Sequence, residues 1–120
     1  MEALGTVNLA CDEATERLSR ELRELGLDVV RSFDLQSARR ALRDPEGCPC
    51  PSHGNLECTC QYIVLLVHPP IGAPLTLIAH GHGGKTRLSL DDGQAKTTAA
   101  GTQESVKEAV GRLEAAAAGA

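Results

Sequence analysis

The sequence predicts an α+β domain, with a four- to five-stranded mixed sheet and two main helices on one face. Three observations predict it. The chain opens strand–helix–strand, a six-residue apolar run (Tyr62–Val67) lies near its middle, and Val106, Ala109, Val110 and Leu113 recur at helical spacing near its end. At 120 residues there is room for one domain, read as 1–114 with a Cys-rich segment at 47–60 and an Ala-rich tail at 115–120 that frays. Phe33 and Tyr62 are the only aromatic residues, so Leu, Val, Ile and Ala must build the core.

Gly5 to Ala10 reads as the first strand. Asp12, Glu13 and Glu16 put negative charge at the start of a helix, where the backbone dipole favours it. Ala14, Leu18, Leu22 and Leu25 form its apolar stripe, and Gly26 follows where a left-handed residue is wanted. Leu27 to Phe33 is the second strand, and a right-handed crossover would set it parallel to the first in one sheet. Asp34 or Ser37 caps a short helix through Leu42, with Leu35, Ala38 and Leu42 turned inward, until Pro45 and Gly47 stop it.

Gln61 to His68 lacks alternation and reads as a central strand buried on both faces. Leu75–Ala79 and Thr86–Leu90 form a hairpin across His80-Gly81-His82-Gly83-Gly84-Lys85. Asp91 to Gly101 is a polar connection, and Thr102 caps the last helix.

Four of the five cysteines lie in Cys48-Pro49-Cys50-Pro51-Ser52-His53-Gly54-Asn55-Leu56-Glu57-Cys58-Thr59-Cys60. Each proline drives the residue before it to extended geometry, where residues two apart face one side, so Cys48 and Cys50 aim together. Cys58 and Cys60 do the same if they lead straight into the strand, and His53-Gly54-Asn55 can turn the chain between the pairs. Converging thiolates repel unless a cation neutralises them, and four sulfurs suit tetrahedral zinc. A candidate metal site of Cys48, Cys50, Cys58 and Cys60 follows, with His53 as a fifth ligand, a substitute for one cysteine, or a polar residue beside the turn.

Zn²⁺ is the expected ion. The spacing departs from the usual two-residue interval of structural zinc sites, and Pro49 and Pro51 remove amide donors to sulfur. Cu⁺ is therefore the alternative, with a toxic thiophilic ion or a small iron–sulfur cluster behind it. Free thiols or one labile disulfide is the reading without metal.

Outside this segment, His80 and His82 share a face if the strand continues that far, as paired ligands or as exposed hairpin residues. His68, ending a strand before Pro69, is structural. Cys11 stands at a strand–helix junction, either a thiol activated by the helix end or a small buried residue. Gly81, Gly83 and Gly84 precede Lys85, but no helix follows to make a phosphate loop.

Twelve Lys and Arg against 16 Asp and Glu give a net charge of −4 with no basic stripe, which disfavours nucleic acid. No run is long enough to span a bilayer, and Met1 to Cys11 lacks the basic start and long apolar run of a secretory signal. A soluble, reducing, cytoplasmic setting is expected, where an odd number of cysteines fits a disulfide framework poorly. A second copy or a protein partner on an edge strand is left open.

From Thr6 to about Leu42 the chain resembles a small prokaryotic α+β domain family of unknown function. The matching pieces are Thr6-Val7, Asp12-Glu13-Ala14, Leu25-Gly26-Leu27-Asp28-Val29-Val30 and Phe33-Asp34-Leu35. The resemblance implies a fold and assigns no residue an activity. The Cys48–Cys60 segment and the His80-Gly81-His82 hairpin depart from it.

Three functions are weighed. One is a metal-handling or metal-sensing protein. The second is an interaction module in which zinc is purely structural. The third is a thiol redox enzyme or a zinc hydrolase; four cysteines would fill the zinc sphere and leave no water to activate, which counts against hydrolysis.

Overall fold

The computed structural model describes residues 2–41, 60–91 and 100–118. The elements run β1 (Glu2–Val7), α1 (Cys11–Glu24), β2 (Asp28–Asp34), α2 (Leu35–Ala41), β3 (Gln61–His68), β4 (Leu75–His82), β5 (Lys85–Leu90) and α3 (Ala100–Ala118). The α+β class is as expected, a five-stranded sheet ordered β1-β5-β4-β3-β2 with α1 and α3 packed on one face.

Every neighbouring pair is antiparallel, which corrects the expected mixed sheet. β1 and β2 do point the same way, but they occupy opposite edges with three strands between them. A strand–helix–strand unit sets the sense of its two strands and leaves open whether later strands insert between them. Here the β3-β4-β5 meander does so.

Helix α1 ends as its sequence dictates. Gly26 takes φ 86°, its N–H bonds the Arg23 carbonyl, and the Leu27 N–H bonds the Leu22 carbonyl. This is a Schellman motif, sealed by Leu22 and Leu27, both buried. Helix α3 carries Val106, Ala109, Val110 and Leu113 into the core as the spacing predicts. It begins at Ala100 and runs on through Ala118, so Thr102 lies inside it and residues 115–118 are part of the helix.

The main core joins Ala14, Leu18 and Leu22 of α1 and the inward residues of α3 to Ile63, Leu65, Val67, Leu75, Leu77, Ala79, Leu88 and Leu90 of the sheet. It is wholly aliphatic but for Cys11. Burial along β3 alternates strictly, with Tyr62, Val64, Leu66 and His68 only half-buried on the other face. The expectation of a central strand buried on both faces is therefore corrected: β4 is central, and α1 and α3 cover one face of the sheet. Both edge strands carry a register shift, between Ala3 and Gly5 and between Arg31 and Phe33. Such bulges twist an edge away from pairing with other chains.

The hairpin between β4 and β5 is tighter than the sequence predicts. The strands extend to His82 and Lys85, leaving Gly83 (φ 61°) and Gly84 (φ 79°) to reverse the chain. Two consecutive positive φ values make the two-residue turn whose twist matches paired strands. His80 and His82 are therefore strand residues, on the face away from α1 and α3.

Candidate functional site

Cys60, one residue before β3, is fully buried. It packs with Leu35 of α2 and the half-buried Tyr62 in a small apolar cluster separate from the main core. A polar network beneath it fixes the backbone. Gln61 Oε1 accepts hydrogen bonds from the amides of Gln36 (3.0 Å) and Tyr62 (3.1 Å), while Gln61 Nε2 donates to Asp34 Oδ1 at 2.9 Å. The Gln36 side-chain amide donates in turn to the Cys60 carbonyl. The start of α2 is thereby tied to the start of β3, with Gln61 satisfied in a buried position, as a buried amide requires.

Asp34 is the hinge of this network. Its Oδ1 caps α2 by accepting the Ser37 amide at 3.1 Å, and its Oδ2 receives Arg31 at 2.9 Å. Burial pushes its carboxyl up, but the bonds from Ser37, Gln61 and Arg31 outweigh that and hold it below the ordinary carboxylate value.

The register pairs Gln61 with Gly81, so the next residues outward, Cys60 and His82, are cross-strand neighbours. The Cys60 Sγ lies 3.5 Å from His82 Nδ1. His82 is an exposed residue, unlike Cys60. On the same face, the Tyr62 ring packs against His80 (centroids 5.8 Å apart) and edge-on against Phe33 (6.4 Å, 69°). A row of rings thus crosses β2, β3 and β4 beside the Cys60–His82 pair.

Of the four cysteines expected to bind metal, Cys60 is described. Cys48, Cys50 and Cys58, with His53 and Leu42, lie outside the described residues. Among the described residues, no group of three or more His, Cys, Asp or Glu side chains is gathered to hold an ion. What is gathered is the pair Cys60 and His82. The sequence treats His80 and His82 as equivalent; the register separates them, with His80 against Tyr62 and His82 against Cys60.

Cys11, the other described thiol, is buried at the start of α1 with Sγ 3.5 Å from the Ala79 carbonyl oxygen. Burial, reinforced by the neighbouring Asp12 carboxylate, pushes the thiol up to about 12. The small-buried-residue reading holds, and activation by the helix end does not.

One cleft between α1 and β2, of about 380 Å³, is lined by Glu16, Arg20, Arg23 and Arg31 among others. Its arginines are engaged: Arg20 pairs with Glu16, Arg23 donates to the Val29 carbonyl, and Arg31 holds Asp34. Among the described residues, no helix is long and apolar enough to cross a membrane. No family model, curated protein or solved structure matches this chain.

Proposed function

We propose that the chain is a metal-binding protein of the cytoplasm, holding one thiophilic ion through Cys48, Cys50, Cys58 and Cys60 for handling or sensing of that ion. Zinc is the expected ion and Cu⁺ the alternative. The carrying observation is the setting of Cys60. A fully buried thiol is anchored by a satisfied hydrogen-bond network, beside an imidazole nitrogen at the sheet end where the cysteine segment joins β3. Cys58 stands two residues before it, so at least one further sulfur is tethered within reach.

The handling or sensing role is preferred to a structural zinc because the main core draws on all five strands, α1 and α3. Such a core supplies its own burial, unlike metal-dependent folds that lack one. Neither described thiol favours a thiol redox enzyme, since Cys11 is held as an inert buried thiol and Cys60 is shut away from substrate. The ion is the partner invoked; no nucleic acid or membrane surface is needed.

The test compares metal content after reduction and exhaustive dialysis. Wild type should retain one ion per chain. Cys58→Ser should lose most of it and Cys11→Ser none. Unaltered metal content in the Cys58→Ser protein contradicts the proposal.

A further inference from the structure

The geometry points to His82 Nδ1 as a metal ligand alongside Cys60 Sγ, which makes the centre a mixed nitrogen–sulfur site for a divalent ion of the zinc class. This rests on the metal-binding reading above and deepens it by naming the ion class and the histidine.

Distance is the first support. With a zinc–sulfur bond of about 2.3 Å, a zinc–nitrogen bond of about 2.05 Å and a tetrahedral angle, the S···N edge of a zinc site is about 3.6 Å. Cys60 Sγ and His82 Nδ1 stand 3.5 Å apart. The separation is the one a shared zinc ion would set, and it is also that of a thiol–imidazole hydrogen bond, so the titration below decides between them.

Rigidity is the second. The two residues are cross-strand neighbours at the end of an antiparallel pair whose register runs unbroken from Gln61–Gly81 to Val67–Leu75. The Gly83-Gly84 turn fixes the hairpin on the His82 side, and the Gln61 network fixes Cys60. Donors on paired strands hold their geometry better than donors on loops.

Exposure is the third, and it discriminates between chemistries. A thiol and an imidazole in contact are also the parts of a nucleophilic pair, but a nucleophile must reach substrate and Cys60 is 0 % exposed. A metal ligand has no such need. His82 is an exposed residue whose Nδ1 meets the buried Cys60 sulfur, so the pair joins a closed donor to one that solvent reaches.

Thiolate sets take Cu⁺ and zinc alike, whereas imidazole suits zinc and its divalent neighbours, so His82 moves the preference toward zinc.

Titration of the reduced full-length protein with Co²⁺, in wild type, His82→Ala and His80→Ala, tests the assignment. Loss of a direct ligand should weaken Co²⁺ binding in His82→Ala by more than the roughly 10- to 100-fold contributed by supporting residues. The visible d–d bands should change shape with it, while His80→Ala keeps wild-type affinity and spectrum. Histidine ¹⁵N spectra of the zinc-loaded wild type need no variant to fold, and should show His82 metal-bound at Nδ1. Wild-type affinity and bands in His82→Ala, or a free-imidazole pattern for His82 in the zinc protein, overturn the assignment and leave the cysteine reading standing. Wild-type protein that binds neither Co²⁺ nor Zn²⁺ overturns both.

Discussion

Gly81 and Cys11 touch backbone to side chain where β4 passes under the start of α1. A Cβ at position 81 would lie 2.6 Å from Cys11 Cβ and 3.4 Å from Cys11 Cα. Cβ and Cα cannot swing aside as the end of a long side chain can, so the helix itself would have to move.

Gly81→Ala should therefore cost about 1–3 kcal/mol, the usual range for overpacking a filled core. Gly111→Ala, in the middle of α3 with nothing within 4 Å of its Cβ, should stabilise by about 0.5–1 kcal/mol. Urea unfolding of the two variants checks both signs. Equal stability of Gly81→Ala and wild type would show that the α1–β4 contact is looser than described.

Cys11 should resist thiol reagents in the folded protein. Its thiol stays protonated up to about pH 12, whereas an unfolded cysteine ionises near 9. Alkylation at pH 8 followed by peptide mapping should leave Cys11 unmodified until denaturant is added. The linkage has a definite sign: the folded value is raised, so Cys11's contribution is complete below pH 9 and is lost as pH climbs toward 12. Rapid native alkylation of Cys11 would contradict the burial.

Asp34 acts in the opposite direction. Its folded value is depressed, so its contribution is present above the unfolded carboxylate value of about 3.9 and is lost as pH falls through the folded one. Asp34→Ala removes the cap on Ser37 and the acceptor for Gln61, and should cost about 1–2 kcal/mol at pH 7. That cost should shrink on acidification, as the carboxyl takes up its proton. A penalty independent of pH would assign the effect to shape alone.

Chelation provides a further check on the role of the ion. Because the core joins all five strands to α1 and α3, far-UV circular dichroism should be nearly unchanged after the ion is removed at neutral pH. Collapse of the helical signal would reassign the ion to a structural role.

Local features were legible in the sequence and long-range ones were not. The stripe of α1 at Ala14, Leu18 and Leu22, the glycine that ends it and both ends of β3 follow from spacing and turn chemistry. The first strand starts earlier than expected, at Glu2, because an edge strand whose register shifts between Ala3 and Gly5 shows no alternation. The hairpin glycines drew the expected turn out to six residues, although Gly81 lies within β4 and packs on Cys11. The pairing of Cys60 with His82 joins residues 22 apart and depends on strand register alone. The sequence marks both residues as capable ligands; it does not mark them as neighbours.

Native mass spectrometry of protein isolated under reducing conditions without added metal, with elemental analysis of the same sample, weighs the account most directly. One zinc ion per chain is the predicted result, lost together with the Cys60 and Cys58 thiols when both are replaced by serine. A bare mass equal to the sum of the residues, with all thiols free and no ion taken up on titration, would contradict it.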